Sequence, residues 1–203
     1  MRKLFLCSSL ADSVHLFRQI VGETLKGKKL TLIPTAANVE DASGFEEDEQ
    51  DILSKLEMAV TILDVSKESR EQIAHTIRDA DYIYLSGGNT FYLLQELKRH
   101  QVDRLLIEEI NAGKFVIGES AGAIVMAPDI AYIMPMDDET KAPLLETYEG
   151  LGVVDFYPLP HMENVYLNEY AEQIMAMYDD KLNLVPLTDQ QAIYVENDQI
   201  EIL

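Results

Sequence analysis

A chain of 203 residues with 47% hydrophobic and 26% charged residues has the composition of a globular protein with a substantial core, not that of a disordered chain. Its formal net charge of −20 repels phosphate backbones and anionic lipid heads, which argues against nucleic acid or a membrane as partner. The single cysteine, Cys7, excludes an intrachain disulfide, and no stretch approaches the ~20 apolar residues of a bilayer span, so the expectation is a cytoplasmic protein with a single domain over residues 1–203.

In chain order, Lys3 to Ser8 is a short apolar run that reads as a strand. Met1-Arg2-Lys3 followed by Leu4 to Cys7 mimics the start of a signal peptide, but Ser8, Ser9 and Asp12 cut the apolar stretch short. A helix with Val14, Phe17, Ile20 and Val21 on its apolar face follows and is expected to end near Gly27. Leu30 to Pro34 is a second strand, Asn38 to Gln50 is polar and acidic, and Val60 to Val65 is a third strand. The run Glu46 to Asp51 lacks the spaced Asp/Asn and glycine of a calcium loop and reads as a solvated helix start. Glu68 to Ala80 is a helix with Ile73 and Ile77 at helical spacing; Asp81 to Leu85 is a fourth strand running into Ser86-Gly87-Gly88-Asn89-Thr90. Phe91 to His100 and Val102 to Asn111 are helices, the second stopped by Gly113, and Phe115 opens a fifth strand.

After Met126 the pattern becomes irregular through Pro128, Pro135 and Pro143. Tyr157 to His161 is a proline-framed extended segment leading to a helix over roughly Leu167 to Tyr178. The chain closes with Leu184 to Leu187, a turn at Thr188-Asp189-Gln190, and a hairpin of Ala192 to Val195 and Gln199 to Ile202 around Asn197-Asp198. Strands that alternate with helices, several of them continuous apolar runs, predict an α/β fold with a mostly parallel sheet covered on both faces. Sites in such sheets lie beyond the carboxyl ends of the strands, where Ser86 to Thr90 and Gly118 to Gly122 both fall.

The second of these stretches is the more informative. Phe115-Val116-Ile117 runs into Gly118-Glu119-Ser120-Ala121-Gly122 and then into helix-prone Ala123 to Met126. An abrupt strand-to-helix turn needs glycines on either side because no Cβ fits where the backbones cross, and it lifts the Ser120 hydroxyl to a helix N-terminus suited to a developing oxyanion. A plain strand-to-helix turn has the same pattern. A serine nucleophile needs a base and the base an orienting acid. Of the four histidines, His15, His75 and His100 fall in helical patterns as solvated residues, whereas His161 follows the extended segment downstream of Ser120 and is the candidate base. Glu163, Asp137, Asp138 and Asp189 are all open as the acid. Gly88 and Ala121 are natural oxyanion N–H donors, although Gly87-Gly88 also suits a tight turn or a bound phosphate. Cys7, ending the first strand, reads as a small buried hydrophobe, and no His and Cys spacing suggests zinc; no metal or cofactor is expected.

At these residues the sequence resembles the peptidase E and cyanophycinase family of serine peptidases, which implies a three-layer α/β/α sandwich of the class I glutamine amidotransferase-like (flavodoxin-like) type. Ser86-Gly87-Gly88-Asn89-Thr90 is similar to the family's oxyanion loop, Gly118 to Ala123 to its nucleophile elbow and Pro160-His161 to its base. The resemblance implies Ser120 as nucleophile, His161 as general base, Gly88 and Ala121 as oxyanion donors, and Gly87 and Asn89 beside the substrate. Members carry the acid either in the loop after the nucleophile helix or before the last hairpin, and Asp189 in Leu187-Thr188-Asp189-Gln190 looks like the latter. The family's aspartyl dipeptidases grip the acidic side chain with an arginine after the catalytic histidine, yet Lys181 is the only Lys or Arg after His161 here; Asn168, Glu169 and Tyr170 occupy the corresponding neighbourhood. The expectation is therefore a peptidase of short peptides or related amides, monomeric or homodimeric, not specific for N-terminal Asp. Two rivals share the motifs: an α/β-hydrolase esterase, and a module that binds an anion at Ser86 to Thr90 without catalysis.

Overall fold

The computed structural model describes residues 1–22, 24–40, 53, 56–197 and 199–203. Most of Asn38 to Gln50, the acidic run Glu46 to Asp51, and Asp198 of the closing turn lie outside the described residues. Strands β1 (Lys3–Cys7), β2 (Lys29–Ile33), β3 (Ala59–Ile62), β4 (Tyr82–Leu85) and β5 (Phe115–Glu119) form the parallel part of a sheet in the order β3-β2-β4-β5-β1. The hairpin of β8 (Ala192–Glu196) and β9 (Gln199–Ile202) extends it, β8 running antiparallel to β1. Strands β6 (Tyr157–Met162) and β7 (Leu184–Thr188) form a separate parallel pair. The central sheet is thus mostly parallel with helices on both faces, as the apolar runs predict.

Alternation along each strand divides the core. Leu4, Leu6, Ile83, Leu85 and Val116 face one side, with α2 (Arg70–Asp79), α3 (Thr90–Arg99) and α4 (Val102–Ala112). Phe5, Cys7, Tyr82, Tyr84, Phe115 and Ile117 face the other, against Leu10 and Phe17 of α1 (Leu10–Val21). Local signals set the helix ends: Ser9 caps α1 through the Asp12 N–H, Ser69 and Gln72 form a capping box on α2, and Gly113 closes α4 in the left-handed region. Helix α1 stops at Gly22 and not near Gly27, because Gly22 adopts φ 61° and turns its N–H back to the Arg18 carbonyl. No helix among the described residues is long and apolar enough to cross a membrane.

Behind the β4 loop lies a 3-10 turn, Thr35–Val39, clamped by Asp64. The Asp64 carboxylate accepts hydrogen bonds from Thr35 Oγ1 (3.2 Å), Asn38 Nδ2 (3.0 Å) and Ser66 Oγ (2.7 Å) and pairs with Lys67 Nζ (2.8 Å). Burial opposes the charge, but Lys67, Ser66 and Asn38 outweigh it and hold the pKa down to about 2. A carboxylate depressed below its unfolded value stabilises the fold above that value and stops doing so as pH falls through the folded one. The stability gap between wild type and Asp64→Asn, read by urea unfolding, is expected to be about 1 kcal/mol near neutral pH after solvent screening. It should shrink from roughly pH 5 downward and vanish near pH 2.

Candidate active site

Strand β5 ends at Glu119 and helix α5 (Ala121–Ile124) begins two residues on, so Ser120 makes the whole turn. It does so at φ 48°, ψ −108°, a conformation L-residues avoid and one typical of a serine on a strained elbow. The glycines on either side are required by contact: a Cβ on Gly118 would lie 2.5 Å from the Gly122 carbonyl oxygen, and one on Gly122 only 2.2 Å from that of Leu85. The elbow is tied to the neighbouring strand by the Ser120 N–H, which donates to the Cys7 carbonyl (2.9 Å).

The other members arrive from the small sheet. Because β6 and β7 are parallel, their carboxyl ends coincide, with Met162 opposite Thr188. His161 therefore stands beside Asp189, the residue immediately after β7, and both are partly buried. His161 Nδ1 lies 2.9 Å from Asp189 Oδ1 and Nε2 lies 3.0 Å from Ser120 Oγ. An ionised carboxylate can only accept, so Nδ1 carries the proton and Nε2 of the neutral ring accepts from the serine hydroxyl. Burial works against the Asp189 charge, but the hydrogen bonds from His161 and Asn164 prevail and keep its carboxyl below the ordinary range. A hydroxyl, an imidazole and a carboxylate in one line can move a proton off the serine and onto a leaving group.

Residues 4–203 match the model of peptidase family S51. The chain belongs to that family. An uncharacterized peptidase of Listeria innocua is 46% identical over 98% of this chain and 95% of its own length. A peptidase E of Shewanella denitrificans is 32% identical over 68% of this chain and 55% of its own. The crystal structure of a Listeria monocytogenes EGD-e protein named for peptidase E superposes with a TM-score of 0.95 at 42% identity, covering 100% of this chain and 98% of that one. This S51 member is accordingly a peptidase, and the serine type fits its family.

In this S51 peptidase the loop from Ser86 to Thr90 sits where the sequence puts it, beyond β4. Gly88 adopts φ 128°, and a Cβ there would lie 2.4 Å from the Ala36 backbone. Among the described residues no acceptor takes the N–H of Gly88 or of Ala121, leaving two donors at neighbouring strand ends. The two companions expected beside the substrate make contacts within the protein. Asn89 is buried and caps α3, its Oδ1 accepting the Tyr92 N–H (2.9 Å) while its Nδ2 donates to the Asp138 carbonyl (3.1 Å). The Gly87 N–H faces the carboxylate of Glu119. A loop leading into a helix must cap it, and the Asn89 side chain turns inward to do so.

The rival acids are elsewhere. Asp137 accepts the Thr90 N–H (2.8 Å) at the start of α3, and burial raises its pKa; Asp138 caps its own turn through the Thr140 N–H (2.9 Å); Glu163 is exposed. Two residues went unnoticed in the sequence. Glu119, beside Ser120, is half-buried, accepts from the Leu10 N–H (2.7 Å) and the Tyr84 hydroxyl, and has its pKa raised chiefly by desolvation. Its place inside the Gly-x-Ser-x-Gly pattern was visible, but nothing local said what would surround it. Asn164 donates from Nδ2 to Asp189 Oδ2 and accepts the Tyr166 (2.9 Å) and Leu167 (3.1 Å) N–H groups on Oδ1. Asn164→Ala frees these N–H groups and one Asp189 oxygen together. It is expected to cost about 1–2 kcal/mol by urea unfolding, with faster amide exchange at Tyr166 and Leu167.

Proposed function

We propose that this S51 peptidase hydrolyses short peptides through an acyl-enzyme on Ser120, with His161 as general base, Asp189 as its orienting acid, and the Gly88 and Ala121 N–H groups as oxyanion donors. The observation that carries this reading is the single imidazole bridging Ser120 Oγ at 3.0 Å and Asp189 Oδ1 at 2.9 Å. His161 Nε2 takes the hydroxyl proton as Oγ attacks the scissile carbonyl. The two N–H groups hold the tetrahedral oxyanion. The imidazolium, steadied by Asp189, gives its proton to the leaving amine. Water then enters by the same route, losing a proton to Nε2 as it attacks the acyl carbon, and the imidazolium returns that proton to Ser120 Oγ as the acid leaves.

Ser120→Ala should lower peptide turnover by about 10⁴-fold or more and abolish labelling by a fluorophosphonate, with the circular dichroism spectrum unchanged. Undiminished labelling would place the nucleophile elsewhere.

The surroundings of the line favour neutral or cationic side chains over acidic ones. Asp138 and Glu163 lie on its flanking segments, and Lys181, the lone Lys or Arg beyond His161, donates to the Met177 carbonyl (2.7 Å) at the end of α6 (Asn168–Tyr178). Lys141 turns to the Val39 carbonyl (3.4 Å). A carboxylate desolvated beside this line without a cation loses several kcal/mol of binding. The expected kcat/KM for Asp-Leu is at least about 10-fold below that for Met-Leu; equal or faster Asp-Leu cleavage would refute the selectivity without touching the mechanism.

A further inference from the structure

The two halves of the site come from different sheets, and their relative placement needs a link. Ser120 belongs to the large sheet and is held by the Cys7 carbonyl at the end of β1. His161 and Asp189 belong to the small one. The next residue after Cys7 is Ser8, almost wholly buried, whose hydroxyl reaches across. Ser8 Oγ accepts the His161 N–H (3.1 Å), and its single proton is shared between the Thr188 (3.2 Å) and Leu187 (3.3 Å) carbonyls, the two residues before Asp189.

The backbone of β6 makes this contact matter. Its register against β7 slips between Leu159 and Met162, so the chain bulges at His161, which adopts φ 69°. A bulge re-aims a side chain, and a left-handed non-glycine residue relaxes toward extended geometry unless its surroundings hold it. Here the His161 N–H goes to a side chain of the other sheet. We infer that Ser8 is a positioning residue: its hydroxyl holds the His161–Asp189 pair in register with Ser120, while adjacent Cys7 holds Ser120 itself.

This inference rests on the serine-peptidase reading, and the experiment separates the two. The rate of fluorophosphonate labelling at Ser120 and the kcat and KM for a neutral dipeptide are measured for wild type, Ser8→Ala, Ser8→Cys and Ser13→Ala. Cysteine keeps the shape of Ser8 with a slightly larger atom that is only a weak donor and acceptor. Ser13 is an equally buried serine near by, whose hydroxyl donates to the Ser9 carbonyl (2.6 Å). Both Ser8 variants should label and turn over about 10- to 100-fold more slowly, the loss falling on kcat with KM within about twofold, because a displaced base costs that much even when the substrate still binds. Ser13→Ala should stay within about twofold of wild type at a comparable loss of melting temperature. Ser8 variants that label at the wild-type rate, or a Ser13→Ala slowed as much as they are, would overturn the positioning role. An unlabelled wild type is a different result, which removes the serine nucleophile and this inference with it.

Discussion

The arrangement of the site depends on the crossing of three backbones at the elbow. Strand β5 must reverse into α5 within van der Waals contact of the end of β4, and only the absence of a Cβ at Gly118 and Gly122 leaves room. Ser120 takes up the whole reversal in a conformation it would not choose alone. The same closeness brings the β4 loop beside the elbow, where Gly88 is pressed against Ala36 in its turn. A strained serine, free N–H groups and a glycine loop are therefore consequences of one packing requirement.

Around this rigid corner the site is assembled from ends of parallel strands. Parallel pairing aligns carboxyl termini, so β1, β4 and β5 deliver Ser8, the glycine loop and Ser120 to one edge, and β6 and β7 deliver His161 and Asp189 to theirs. The polar groups there are satisfied largely by one another. Asn164 takes the second oxygen of Asp189, Glu119 receives donors from three segments, and Ser8 spans the sheets. Such a network keeps its members in place because each unpaired partner would cost more than the bond it lost.

The acidity of the chain finds a local expression here. Carboxyl groups adjoin both Ser120 and His161, yet hydrogen bonds outweigh burial at Asp189 and lower its pKa, whereas burial prevails at Glu119 and Asp137 and raises theirs. Environment, and not residue type, decides the direction in which each of these carboxyls shifts.

The sequence by itself determined the alternation of strands and helices, the division of each buried strand between two faces, the glycine-flanked turn at Ser120 and the loop beyond β4. These depend on period, caps and the space available to a Cβ, all of which act within a few residues. Tertiary structure alone decided which of Asp137, Asp138, Glu163 and Asp189 meets His161, and that Ser8, Glu119 and Asn164 belong to the site. Each of those outcomes depends on the register of one strand against another far away in the chain, and such register is set by packing across the whole sheet, which no short stretch of residues encodes.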